Sequence, residues 1–277
     1  LEGVRVEISK TVQVVNLLVE GVGIRAASRL TGLDQGTILN ILRTAGEHCA
    51  RVLNAKIQNV SANHIEVDEI YGFVRCLQKN IDENDTENGD QYAFFASEAT
   101  SKCILHWNVG KRDNVTINEF LNGLKPRIVG RFQISTDGCR GYISPHGGVP
   151  KVFGPEVDYA TEIKQYGPQN RFTGQRYNPI VCTSVRRKRR SGNPNLAITT
   201  VNHAERTNLS VRLFNRRFTR KTLGYSKTLE NHKHAMVLLV AHYNFCRVHS
   251  AHKQTPAQAQ GLTDHTWTIE ELLTTKE

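Results

Sequence analysis

Three carboxylates in this sequence stand in settings where an acid is out of keeping with its neighbours. Asp68 falls mid-strand in Glu66-Val67-Asp68-Glu69-Ile70, Asp137 closes the run Ile134-Ser135-Thr136 just ahead of Gly138, and Glu205 lies in His203-Ala204-Glu205-Arg206. Adjacent carboxylates repel one another unless a cation neutralises them. Hard oxygen ligands of this kind suit Mg2+ or Mn2+, which keep positions open for water and phosphate oxygens. Two such ions, roughly 3.5–4 Å apart, clamp a phosphodiester for in-line displacement. Taken singly, each acid is an ordinary solvated or salt-bridged residue; their joint placement on fitting elements is what raises them.

The elements that position them follow from periodicity. Residues 65–74, 92–96 and 103–109 alternate and are β-rich, so three successive strands are expected, with an acidic hairpin loop over 81–90. An amphipathic helix is expected over 114–124 and a fourth strand over 131–136, ending at Asp137-Gly138. Strand alternation puts Glu66 and Asp68 on one face and Glu69 on the other. Asp137 stands at the carboxyl end of a strand, where α/β folds place ligands. If the fourth strand pairs beside the first, Asp68 and Asp137 become neighbours across 68 residues of sequence. Three antiparallel strands, a helix and another strand is the opening order of an RNase H-like α/β domain, a mixed sheet flanked by helices. Residues 144–200 read as a loop-rich insert, with a helix over 158–166. Helices follow over 204–218 and 229–247, then an extended Thr255-Pro256 segment and a short helix over 269–273 that Trp267 anchors. Helical spacing puts Asn208, Leu209 and Arg212 on the face of Glu205.

Charge is a clue to a polyanionic partner, with a merely soluble basic protein as the alternative that composition leaves open. The 277 residues carry a net charge of +10, and it is segregated. Residues 61–137 hold 8 Lys and Arg against 12 acids, whereas 138–277 hold 21 against 9. From Arg186 to Lys221 eleven bases face a single acid, Glu205. Arg186, Arg187, Lys188, Arg189 and Arg190 would be a solvated flexible run by default, or a targeting signal in a eukaryote. A lone acid within so much positive charge is better explained as a metal ligand bordering a phosphate track, since each neutralised phosphate releases counterions. Arg212, Arg216, Arg217 and Arg220 continue that track.

Residues 1–60 are expected to form a separate all-α helix-turn-helix domain, with 61–277 as the second domain. A first helix ends at Gly21-Val22-Gly23, a second covers 24–30, Thr31-Gly32-Leu33 turns, and Asp34 caps a third. Ala26 and Ala27 let the helices approach, and Gln35, Thr37, Asn40 and Arg43 are expected to face a DNA major groove, a plain structural trihelical cap being the alternative.

Together these residues resemble a known family. The block Thr200-Val201-Asn202-His203-Ala204-Glu205-Arg206-Thr207-Asn208-Leu209, continuing through Arg216-Arg217-Phe218-Thr219-Arg220, Ser226-Lys227, Glu230-Asn231-His232, Tyr243-Asn244-Phe245-Cys246-Arg247-Val248-His249 and Thr255-Pro256-Ala257, is similar to the carboxyl-terminal block of DDE transposases of the insertion-sequence-one-like group. Val67-Asp68-Glu69-Ile70-Tyr71 and Ser135-Thr136-Asp137-Gly138 resemble that family's first two acid motifs, and Val157-Asp158-Tyr159-Ala160 also fits. The resemblance covers residues 10–275. It implies an RNase H-like domain using two Mg2+ or Mn2+ ions held by Asp68, Asp137 and Glu205. It also implies hydrolysis of a strand at an element's end, followed by attack of the freed 3′-hydroxyl on target DNA. Asn208, Asn244 and His249 are accessory candidates that orient the third acid's helix or touch phosphate; for Asn244 and His249, packing is an equal alternative.

Two features depart from the family. Relatives often carry a cysteine-rich zinc finger ahead of the helix-turn-helix; none lies within these residues, so it is expected either upstream of Leu1 or lost, and 67 residues separate Asp137 from Glu205, a long gap. Glu162 is a nearer competing third acid, though Thr161 and Ile163-Lys164-Gln165 do not match the motif. The rival readings are a retired transposase that binds DNA without chemistry, and another RNase H-like nuclease. The expected partners are element ends and target DNA, with a homo-oligomer, a dimer, pairing two ends. No run of about 18 apolar residues exists, so no membrane partner is expected. The amino terminus lacks the marks of a secretory signal and an initiator Met, so a cytoplasmic, nucleoid-associated protein is expected, with the chain a fragment. Six cysteines without a CxxC pair argue against a zinc module or disulfide scaffold, and read as reduced, mostly buried thiols.

Overall fold

A computed structural model describes residues 3–82, 84–167, 181–219 and 222–276. The chain opens with three helices, α1 (Ile8–Val19), α2 (Ile24–Thr31) and α3 (Gln35–Lys56). Gly32 ends α2 in the left-handed region at φ 72°, a conformation that glycine adopts without steric cost. Asp34 then caps α3, its carboxylate accepting the Gly36 N–H at 2.7 Å. Ile38, Ile41, Leu42, Ala45, Cys49, Val52 and Leu53 recur at helical spacing along α3 and are buried.

The sheet is built from β2 (His64–Val74), β3 (Gly89–Glu98), β4 (Ile104–Gly110), β6 (Phe132–Thr136), β7 (Val157–Tyr166) and β8 (Cys182–Ser191). A two-residue parallel pair, β1 (Val60–Ser61) with β5 (Ile128–Val129), stands apart from it. The strand order is β4-β3-β2-β6-β7-β8. Strands β2, β6 and β7 run parallel, while β3, β4 and β8 pair antiparallel to their neighbours. Helix α4 (Asn114–Leu124) packs on β4, and α5 (Arg140–Ile143) and α6 (Gly148–Phe153) lie beside it. Helix α7 (Asn202–Phe214) covers β2 and β3 from the opposite face. Helix α8 (Leu229–Ala241) continues into a π-helical turn, His242–Cys246, and the chain ends through α9 (Pro256–Ala259) and α10 (Ile269–Thr274).

The strands and helices expected up to Thr136 are present, and the insert is where expectation and structure part. Residues 158–166, expected as a helix, are strand β7, because Val157, Tyr159 and Thr161 alternate with Ala160 and Glu162 and both faces are buried. The basic run 185–190 lies in β8, so the insert supplies two strands rather than only loops. Thr255-Pro256, expected as extended, opens α9 with a capping box to Gln258. Of the cysteines only Cys49 and Cys103 are buried, and Cys182 is exposed. Trp267 is buried against Phe245, with ring centroids 4.4 Å apart, and holds α10 down as expected.

One apolar cluster joins the three opening helices, the sheet and the closing helices. Gly46 is required for this: a Cβ there would lie 2.7 Å from His234 Cβ on α8, so a side chain would push α3 and α8 apart. Among the described residues no helix is long and apolar enough to cross a membrane.

Burial keeps several histidines neutral. His232, fully buried between Phe218 and Ser226, is lowered from 6.5 to about 3, and His64 and His242 to about 4. A histidine depressed in the folded state binds protons only after unfolding, so stability is complete above pH 6.5 and falls as pH drops toward 3–4. The loss between pH 7 and 5 is expected to be smaller in His232→Gln by on the order of 2 kcal/mol. Urea titrations at the two pH values measure it, and an undiminished loss would show that His232 is not held neutral.

Candidate active site

The sheet register assembles the acids. Val67 on β2 is aligned with Thr136 on β6, so the next residues, Asp68 and Asp137, stand side by side. Thr136 is in turn aligned with Thr161, which sets Glu162 beside Asp137, and Glu162 is aligned with Arg187. Strand β6 stops at Asp137 because its carboxylate turns back to accept the Cys139 N–H at 2.8 Å.

Glu205 reaches this row from α7, and a second carboxylate fixes that helix. Glu66 Oε2 accepts the N–H groups of His203 and Ala204 at 2.8 and 3.0 Å, satisfying two donors of the α7 amino terminus from inside the sheet. Glu66 is fully buried, and burial pushes its carboxyl up to about 7 against the pull of those two bonds. Glu205 in the first turn and Asn208 three residues on face the strands. Asn208 Nδ2 donates to Asp68 Oδ2 at 2.8 Å.

Burial raises the Asp68 carboxyl to about 8, and the charges of Glu69, Asp137 and Glu205 add to the rise. The three acids therefore share one field. As a set their ligand atoms do not gather within 4.8 Å; among the described residues the trio that does so is Glu47, Glu230 and His234, on α3 and α8. Protein donors stand by the acids instead. Lys164 Nζ is 2.6 Å from Glu205 Oε2. Arg112 Nη2 is 2.5 Å from Glu69 Oε1 and 3.7 Å from Asp137 Oδ2, and Tyr142 donates to Glu69 Oε2 at 3.1 Å. Glu69 thus lies on the face opposite Asp68, as alternation requires, yet still raises its carboxyl.

The donor set fits a hard divalent ion. Its oxygens are carboxylates plus Asn208 Oδ1, a buried acceptor with no hydrogen-bond partner. A cation would also relieve the repulsion around Asp68.

The other expected residues divide into exposed and internal ones. Gln35 and Arg43 are exposed on α3, and Thr37 is half-buried. Asn40 is half-buried and tied to the Gly3 carbonyl and to Arg43. On β8, Arg186, Arg187, Lys188 and Arg189 are exposed, and Arg190 is half-buried on Thr161 Oγ1. Register puts Arg187 and Arg189 on the α7 face, where Arg187 Nε is 3.2 Å from Glu162 Oε2. Arg216 is exposed, while Arg212 donates to the Phe218 carbonyl at 3.2 Å. Arg217 points inward to Ser226 Oγ at 3.0 Å, and burial lowers its guanidinium to about 10, so it is not presented to a ligand. Arg220 lies outside the described residues. Asn244 is fully buried and pairs with both backbone groups of Ile104, a packing role. His249 donates its backbone N–H to the Gln254 carbonyl, accepts the Ala251 N–H on ring Nδ1, and its ring lies near His252. Glu162 is buried on Arg187, Thr200 and the Val201 N–H, so it braces the start of α7.

Sequence reading missed Glu66, Lys164 and Arg112 as partners of the site. Alternation places Glu66 on the face of Asp68, and that is the available signal; the pairings of Lys164 and Arg112 depend on strand register.

No protein-family model matches the sequence, and no curated protein does. Among solved structures, the chain is similar to the piggyBac transposase synaptic complex with hairpin DNA. Identity is 10% over 96% of this chain and 68% of that one, with a TM-score of 0.43. The Mos1 strand transfer complex is similar at 9% identity over 51% of this chain and 53% of that one, with a TM-score of 0.19. No residue role carries over at this level of likeness.

A carboxyl raised by burial and like charge costs stability once it ionises, so the cost of Asp68 grows from pH 4 to 8. Asp68→Asn is expected to raise the metal-free melting temperature at pH 8, by roughly 2–4 °C for each kcal/mol relieved. Differential scanning in chelator reads this, and a lowered or unchanged value would mean the carboxylate is not under repulsion.

Proposed function

We propose that the protein is a DNA transposase of an insertion sequence. In this reading residues 61–277 form an RNase H-like DDE domain, and residues 1–60 a helix-turn-helix unit that reads element ends through Gln35, Thr37, Asn40 and Arg43. The observation that carries the reading is the convergence of Asp68, Asp137 and Glu205 from β2, the end of β6 and α7, close enough that the latter two raise the carboxyl of the first. The strand order around them, with β2 central and β6 parallel beside it, agrees with the same fold. The motifs of the carboxyl-terminal block supply the expectation of transposition rather than of another nuclease.

Asp68, Asp137 and Glu205 would hold Mg2+ or Mn2+. Two ions bound there would activate the attacking oxygen and stabilise the leaving oxygen of an in-line displacement at phosphorus. Glu66 sets the height of α7 over the strands and so the position of Glu205. Asn208 orients Asp68 through its Nδ2. Arg187 and Arg189 border the acids on β8 and would track the DNA backbone, with Arg186, Lys188 and Arg190 extending positive charge to the other face. Because two ends must be cut and joined together, the working form is a homo-oligomer, a dimer in the simplest case.

The test uses duplexes carrying the repeats that flank the gene, with a supercoiled plasmid target, in Mg2+, Mn2+ or chelator. Metal-dependent end cleavage and strand joining are expected. Asp68→Ala, Asp137→Ala and Glu205→Gln are each expected to lower them by on the order of 100-fold or more, the scale of losing one preorganised charge, while end binding persists. Binding without cleavage in either metal would favour a retired DNA-binding protein. Replacing Arg187 and Arg189 with Gln is expected to weaken binding and to reduce the salt slope by about one for each phosphate that is no longer neutralised. An unchanged slope would remove β8 from the DNA path.

A further inference from the structure

Lys164 lies on β7 two residues beyond Glu162, on the sheet face that α7 covers. Its ammonium is 2.6 Å from Glu205 Oε2, 2.8 Å from Asn202 Oδ1 and 3.9 Å from Glu162 Oε1, with only 15% of the side chain exposed. Glu162 does not need it. That carboxylate already has Arg187 at 3.2 Å, and accepts from Thr200 Oγ1 at 3.3 Å and the Val201 N–H at 3.4 Å. Lys164 is therefore the counterion of Glu205, which it holds on the β7 side, while Asn208 holds Asp68 one turn further along α7.

We propose that Lys164 is a displaceable stand-in for metal: it occupies Glu205 while the acids hold no divalent ion, and yields that oxygen when one enters. This rests on the reading of the three acids as metal ligands. An ammonium is one charge on a flexible four-carbon stem, and its hydrogen bond to a carboxylate breaks without moving the backbone. A divalent ion brings twice the charge and prefers carboxylate oxygen. Glu205 is 44% exposed on its side chain, so an ion can approach its carboxylate from solvent. Arg112 is not equivalent, since its main partner is Glu69 at 2.5 Å and Asp137 lies farther off at 3.7 Å. After the exchange, Lys164 keeps Asn202 as a partner and gains a free donor facing the cleft, where a DNA phosphate oxygen would take it up.

The test is Mn2+ binding to the full chain without DNA, followed by the electron paramagnetic resonance of the free ion. Lys164→Met is expected to bind Mn2+ roughly three- to tenfold more tightly than wild type, the scale of releasing one half-buried charge-assisted hydrogen bond. Arg206→Met, at an exposed position next to Glu205, removes an equal charge without freeing Glu205, and is expected to stay within about twofold of wild type, since its charge acts through solvent. Equal or weaker binding by Lys164→Met, or an equal gain in Arg206→Met, overturns the exchange while leaving the metal site standing. Absence of Mn2+ binding in wild type and Lys164→Met alike overturns the metal reading and the exchange with it. A second measurement needs no variant: acylation of Lys164 by an N-hydroxysuccinimide ester should rise severalfold on adding Mn2+, with the exposed Lys233 unchanged, and a constant Lys164 yield overturns the proposal.

Discussion

Carboxylates gathered away from water repel one another, and the middle of this protein is organised around containing that repulsion. Each buried acid is answered by a donor from a different element. Glu66 takes two backbone N–H groups of α7, Asp68 the amide of Asn208, Glu69 the Arg112 and Tyr142 side chains, and Glu162 Arg187 of β8. Satisfying the acids is thus also what docks α7, α5 and β8 on the sheet. Losing one partner of such a group typically costs several kcal/mol, so these pairings are structural as well as chemical.

Much of this arrangement is legible in the sequence. The strands carrying Asp68 and Asp137 show clean period-two alternation, and the helix of Glu205 shows its face through Asn208 and Arg212. Residues 158–166 mislead because both faces of β7 are buried, and Asp158, Glu162 and Gln165 recur at the i, i+4, i+7 spacing of a helix's solvent side. Lys164 and Arg112 are not legible as site partners, since each is brought to its acid by strand register or a loop, over long sequence separations. Asn244 and Arg217 mislead in the other direction. Polar residues in a motif-rich stretch look available for ligands, yet one completes a sheet edge and the other is sealed beneath α8.

The opening helices share one apolar cluster with the sheet and the closing helices. Helix α3 is 22 residues long, about 33 Å at the usual rise, with Gln35 exposed at its start and Val52 and Leu53 in the shared core near its end. His48 on it lies 3.1 Å from the Leu272 carbonyl of α10. A load applied at Gln35 is carried by one unbroken rod into the packing that surrounds α8.

The two open sides of the sheet are finished by different means. At β4 the carboxamide of Asn244 pairs with both backbone groups of Ile104 and so imitates a further strand. At β8 nothing comparable is present among the described residues, and a row of like charges lines the strand. Such a row deters a second chain from adding itself as the next strand. The deterrent is only as strong as the charge, so a polyanion of the wrong kind, or high salt, would expose a sticky seam. Solubility of this protein is therefore bound up with whatever covers that strand.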